Sequence, residues 1–222
     1  MVADRPSVEE YNFLLMGRNI GPKNKIARRF GINLGLKSNA TKVARRLSQP
    51  PGVHGPKKRP GASSSYGKQL LEKQKAKLVY GLRERQFTRY VKMATAQTGD
   101  SGVTLQRLLE LRLDNVVYRL GFAATRAQAR QLVSHGMFKV NGQKNNIPSH
   151  HLKMGDEISL NELKTKKLIF NNLEDRLAKM ELPSLLSVDA TKKQGKILNL
   201  PEEKDFERVF DVKLIIEYYS TR

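Results

Sequence analysis

Arg126 and Arg130 stand four residues apart just after Thr125, and on an α-helix that spacing puts both guanidinium groups on one face. A helix start already offers unpaired amides and the positive end of the dipole, so the pair suits an anion, with phosphate the obvious one. Thr125 and Gln128 at the helix start, His135 at its end, and Lys139 and Asn141 beyond it extend the same polar surface. Two solvated arginines on an exposed helix would look the same, so the rest of the chain has to decide between the readings. Other chemistry has less support. With no cysteine there is no disulfide, thiolate zinc site or cysteine nucleophile. Adjacent His150 and His151 point apart in a strand and lack a metal-binding spacing, so no metal site and no cofactor are expected. No phosphate-binding glycine loop and no paired carboxylates recommend catalysis.

The elements that must position these residues lie between Thr104 and Leu160. Leu105, Leu108, Leu109, Leu113, Val116, Val117 and Leu120 keep the three-and-four spacing of one helical face, and Gly121 ends that helix. Thr125 opens a second helix, its hydroxyl accepting from a free amide while Gln128 reaches back in a capping box; Gly136 is the stop. Met137 to Val140 reads as a strand, Asn141-Gly142 as a tight hairpin turn, and Gly155-Asp156 as the turn into a strand from Glu157 to Leu160. The result is two helices on a small sheet.

Charge supplies the partner class. The 222 residues carry 41 Lys and Arg against 21 Asp and Glu, a formal net charge of +20, so a polyanion is the first expectation. An anionic membrane fits the charge too, but no apolar run approaches the ~18 residues of a spanning helix. Residues 11 to 71 also lack a long basic helix with an apolar face. The first residues resemble neither a secretory signal nor a transit peptide. The charge is front-loaded, with no acid between Glu10 and Glu72. A solvated ordinary surface mixes signs.

Along the chain, a short helix is expected near Lys23 to Phe30, followed by loop and extended chain through the Pro- and Gly-rich stretch from Gln49 to Gly61. With few large apolar residues, this region is expected to need its partner to order it. From Gly67 the pattern turns helical, breaks at Gly81, and resumes with Phe87, Tyr90, Val91 and Ala94 at core spacing, leaving Lys68, Lys73, Lys77, Arg83 and Arg89 to the surface. Asn171 to Met180 reads as helix. Leu185 to Val188, Lys196 to Leu200 and the β-prone Val212 to Tyr219 read as extended.

The stretch RLDNVVYRLGFAATRAQARQLVSHG, Arg112 to Gly136, followed by KVNG and MGDEI, closely resembles the small RNA-binding domain of small-ribosomal-subunit protein four. PGVHGPKK, YGKQLLEKQKAKLVYGLRERQF, LPSLLSVDA, the ending IIEYYS and IGPKNKIARRFG (Ile20 to Gly31) resemble the same bacterial-type family, so coverage runs from about Arg18 to the end. The resemblance implies an α+β fold of two domains. Residues 18–100 and 171–222 would form a mainly helical domain from both chain ends, and residues 101–170 an inserted helix-plus-sheet module, its RNA-binding core at about 104–165. Residues 1–17 stand apart as an N-terminal extension.

It further implies a structural constituent of the cytoplasmic ribosome that binds small-subunit ribosomal RNA at a junction of several RNA helices and nucleates assembly. Small-subunit protein five and other ribosomal proteins would be neighbours, with no membrane and no small-molecule substrate. The RNA-facing candidates are Arg18, Lys23, Lys25, Arg28, Arg29, Lys37, Arg45, Arg46, Lys57, Lys58, Arg59, Lys68, Lys73, Arg83 and Arg89, together with the module residues above. His54 and Tyr66 are candidates for base stacking, and Lys57 to Arg59 for contact with incoming messenger RNA. Many relatives hold zinc through cysteines in the first fifty residues; this chain has none. The rival reading is an enzyme, because pseudouridine synthases present a catalytic aspartate in a similar Arg-Leu-Asp. Here Arg112-Leu113-Asp114 lacks the Ser/Thr-Gly that follows in those enzymes, and an aspartate bonded to a nearby arginine is the expectation.

Overall fold

The structure, a computed structural model, describes residues 21–52, 64–165, 167–171, 173–178 and 182–221. These belong to two compact units. The first takes residues up to Leu34, Asn39–Ser101 and Val209–Arg222; the second takes Gly35–Ser38 and Gly102–Arg208. The architecture is α+β, as expected.

In the first unit, helix α1 (Lys23–Phe30) starts after Pro22, whose missing amide costs nothing there, and ends at Gly31 with φ 66°. Helix α2 (Ala40–Ala44) is capped by Asn39, which accepts from the Lys42 amide at 2.9 Å. Helix α3 (Ser65–Val79) is capped by Ser64, which accepts from the Gly67 amide at 3.1 Å. Gly81, at φ 61°, then turns the chain toward α4 (Glu84–Thr95). Phe87, Tyr90, Val91 and Ala94 are all buried along one face of α4, as the periodicity requires. The break at Gly81 and the short helix α1 also fall where their sequence signals lie.

The second unit opens with α5 (Ser101–Glu110), α6 (Leu113–Arg119) and α7 (Arg126–Ser134). One continuous helix from Leu105 to Leu120 is the sequence expectation, and the chain departs from it. Arg112 is extended (φ −72°, ψ 138°) and bridges His151, while the Leu113 amide donates to His150 O and the Leu152 amide to Leu111 O, each at 2.9 Å. The backbone bonds lost from the helix are thus regained from a distant segment. The core of the unit begins at Leu111 and takes in α6 and α7, while α5 buries Leu105 and Leu109.

That core, with Val116, Leu120, Phe122, Leu132, Phe138 and Ile158 among its members, lies against an antiparallel sheet. The sheet order is β2-β1-β3-β5-β4, from β1 (Phe138–Val140), β2 (Gln143–Asn145), β3 (Glu157–Leu160), β4 (Leu186–Asp189) and β5 (Gln194–Ile197). Asn141 and Gly142, at φ 48° and 79°, make the expected hairpin turn. β5 pairs with β3, Ile158 opposite Gly195. A Cβ built at Gly195 would lie 2.6 Å from both Leu120 methyl carbons. Because Leu120 is fully buried, Gly195→Ala is expected to cost about 1–3 kcal/mol by overpacking, read as a lower urea midpoint at unchanged slope. An unchanged midpoint would show that Leu120 can repack.

One boundary moves and one element changes type. Residues 171–208, assigned from sequence to the helical domain, lie in the second unit, because β4 and β5 continue its sheet and α8 (Leu173–Ala178) lends Leu173 and Leu177 to its core. Only residues from Val209 onward return to the first unit. There Val212–Ser220, expected as a strand, is helix α9. Asp211 caps it by accepting from the Lys213 amide at 2.9 Å, and Ile215 and Tyr218, three apart, are buried against α3. Burial at helical spacing overrides the β preference of Val and Ile.

Candidate nucleic-acid interface

On α4 the buried face leaves Arg85, Arg89 and Lys92 exposed at the i, i+4, i+7 spacing of the opposite face. None of the three pairs with an acid among the described residues. The same holds for exposed Lys25 and Arg29 on α1, for Lys42, Arg45 and Arg46 at α2, and for Lys68 and Arg83. Arg85, Lys92 and Lys42 were not among the sequence candidates. The signal was there for two of them, as a basic stripe phased opposite Phe87, Tyr90, Val91 and Ala94.

Not every candidate cation in this unit faces water. Lys73, read from sequence as a surface RNA contact, is only 3% exposed, and Lys77 is buried with it. Both donate to Glu84, Lys73 to Oε1 and Lys77 to Oε2, at 2.8 Å each. Lys73 Nζ also lies 4.4 Å from the Tyr218 ring centroid. A helical face read one residue at a time gives no hint of this, because Glu84 comes from the next helix. Burial by itself pushes the Glu84 carboxyl up, but the hydrogen bonds and charges of Lys73 and Lys77 outweigh it and hold the pKa at about 2. Burial pushes the neighbouring Tyr219 hydroxyl well above the ordinary tyrosine range, with the Glu84 charge adding to it.

Arg28 is likewise engaged, donating from Nε to Gln49 O at 2.6 Å and from Nη2 to Pro50 O at 2.9 Å, which ties the loop to α1. Tyr66 is 37% exposed but stacks on Tyr218 with centroids 5.8 Å apart, so one ring face is already used. Lys23 is half-buried. Arg18, His54, Lys57, Lys58 and Arg59 lie outside the described residues.

In the second unit Arg112, Arg119, Arg126 and Arg130 are knitted to acids. Arg112, fully buried, donates to both Asp114 oxygens, at 3.1 and 2.8 Å, and Arg130 reaches Asp114 Oδ2 at 3.3 Å. Asp114 is therefore an ion-pair residue. Buried Glu110 accepts from Arg119 at 3.2 and 3.0 Å and from Asn115 at 2.6 Å. Arg126 donates to Asn115 Oδ1 at 2.8 Å, pairs with Glu207, and lies over the Tyr118 ring at 4.6 Å.

The expected anion pair thus holds its own unit together. Arg126→Ala strips Asn115 and Glu207 of a partner, and about 1–3 kcal/mol of stability should go with it, measured as a lower melting temperature. An unchanged melting temperature would mean that these contacts are dispensable.

The remaining candidates fall on the same unit. Thr125 Oγ1 accepts from the Gln128 amide at 3.2 Å, as expected, but Gln128 Oε1 reaches the Ala124 amide, at 2.8 Å, instead of closing the capping box. His135 and Lys37 are exposed. Lys139 pairs with Glu162 at 3.0 Å, and Asn141 braces its own turn through Asp156 and the Glu157 amide, 2.9 Å each. Burial, with the Arg112 charge adding to it, pushes the His151 imidazole below its ordinary range. Among the described residues no acid, His and Cys cluster suits a metal.

The family described as ribosomal protein S4/S9 N-terminal domain matches residues 18–110, and the S4 domain matches residues 111–158. The small ribosomal subunit protein uS4 of Herpetosiphon aurantiacus is 47% identical over 210 residues, covering 92% of this chain and all of that protein. The chain belongs to the uS4 family. The uS4 proteins of Roseiflexus castenholzii and Chloroflexus aurantiacus are 45% and 46% identical over 207 residues, again with full coverage of those proteins. As a uS4 chain it is a structural ribosomal protein and not an enzyme, which agrees with the locked ion pair at Asp114. The boundary between the two uS4 matches, after residue 110, falls at the break between α5 and α6.

Proposed function

We propose that this uS4 chain binds small-subunit ribosomal RNA mainly through the unpaired cations of its helical unit, with the S4 module supplying a second, shape-fitted surface. The observation that carries the reading is the contrast between the units. Exposed bases on α1, α2 and α4 have no acidic partner among the described residues, whereas Arg112, Arg119, Arg126 and Arg130 are already paired. Free cations release counterions when they meet phosphate; paired ones must first give up an acid. The module then contributes by contour, through exposed His135 and its neighbours, as proteins that read folded RNA do.

By the family resemblance, the site on the RNA is a junction where several helices converge, and there the chain nucleates assembly of the subunit in the cytoplasm. The messenger-facing part of the reading rests on Lys57, Lys58 and Arg59 and stays with the sequence, as does docking on small-subunit protein five. Chemical footprinting of the purified rRNA tests the core of it. Protections clustered at one multi-helix junction, lost over 50 to 200 mM salt as about six to ten phosphate contacts require, are the expected result. Protections scattered over the RNA, or binding insensitive to salt, would overturn it.

A further inference from the structure

The second unit holds a cavity of about 410 Å³ between α7 and the 3₁₀ turn Leu168–Phe170. Leu132, Met137 and Ile169 make its apolar side; Gln128, Gln131 and His135 of α7, with Lys167 across from them, make its polar rim. Residues 128, 131, 132 and 135 share one helical face, so a single rigid element carries most of the wall. The volume lies within the roughly 300–1,000 Å³ of small-ligand sites.

The rim is chemically specific. Gln128 is held in place by its bond from the Ala124 amide, which leaves its amide nitrogen as a donor. Gln131 offers an amide that both donates and accepts, His135 a flat ring, and Lys167 an ammonium; all three are exposed. A second ammonium stands close by, because Lys164 donates to His135 O. Among the described residues no acidic side chain lines the cavity.

An apolar floor, amide groups at the edge, an aromatic ring and two cations match one occupant, an RNA nucleotide. Its base has flat apolar faces and a polar edge, and its phosphate carries the negative charge that the two lysines complement.

We propose that this cavity receives a single unpaired nucleobase of the bound RNA, with Gln131 and His135 reading or stacking on the base and Lys164 and Lys167 near its phosphate. The inference rests on the rRNA-binding reading above and adds a site to it. It also gives the module a contribution that its paired arginines do not.

The test uses the full-length chain and purified small-subunit rRNA. Gln131→Ala with His135→Ala alters only exposed side chains, so the melting temperature should hold. Affinity should fall by about tenfold, the scale of one lost stacking contact, while the slope of log affinity against log salt stays unchanged. A photo-crosslinker at position 131 should mark one or two adjacent unpaired nucleotides. Unchanged affinity, a slope that falls with the affinity, or crosslinks to a neighbouring protein in place of RNA would overturn the proposal. Absence of saturable binding by the wild-type chain would overturn the parent reading as well, and is told apart by failing before any variant is made.

Discussion

Replacing Arg85, Arg89 and Lys92 together by Ala is expected to lower affinity for small-subunit rRNA by about 100-fold at 0.15 M salt, from about fivefold per phosphate contact. The salt slope should fall by about 2 to 3 in the same experiment. Both numbers follow from counterion release alone and require no base-specific contact. The fold should be untouched, because α4 is anchored by Phe87, Tyr90, Val91 and Ala94, and none of the three cations pairs with an acid among the described residues. Filter binding across a salt series, with thermal melting as the control, measures both. If affinity and slope both stay at wild-type values, the α4 stripe is ordinary solvated surface and the RNA-facing side of this unit lies elsewhere.

Glu84→Ala is expected to be the most damaging single change in the first unit, at about 3–5 kcal/mol, because it strands two buried ammonium groups. Lys73 and Lys77 sit on α3, and Lys73 Nζ also reaches the Tyr218 hydroxyl of α9 at 3.4 Å, so losing their counter-ion loosens the packing that brings the C-terminal helix back to this unit. The same carboxylate sets an acid limit. Its pKa is lowered from 4.5 to about 2, so its contribution is fully present above pH 4.5 and disappears as the pH falls toward 2. Since a third of the side chain meets water, that contribution is discounted to about 2 kcal/mol.

Glu84→Gln separates charge from packing, since it keeps the acceptor and removes the ion. Urea unfolding of wild type and Glu84→Gln between pH 7 and pH 3 should show a gap that is constant above pH 4.5 and narrows below it. A gap independent of pH would show that the cluster works through packing only.

Much of the scaffold was legible because its signals are local. Thr125 before α7, Asn141-Gly142 at the hairpin, Gly81 between two helices and the apolar face of α4 each depend on residues within one or two turns of chain. They came out where expected. The RNA-handling character was equally plain, since an acid-free run from Tyr11 to Leu71 has little other use.

What only the tertiary structure decided involves partners far away in sequence. The α5–α6 helix breaks at Arg112 because residues 150–152 satisfy its backbone, and Val212–Ser220 is helical because α3 offers a surface at i, i+3 spacing. Lys73 is buried because Glu84 waits on the next helix, and Arg126 and Arg130 are already ion-paired because Glu207 and Asp114 reach them. Charge composition therefore pointed to a polyanion and the motifs narrowed it to RNA, while which cations remain free to meet it was set by where the fold placed the acids. The physical reason is that a lone cation's Coulomb energy is read from composition, but its availability depends on contacts closed across tens of residues.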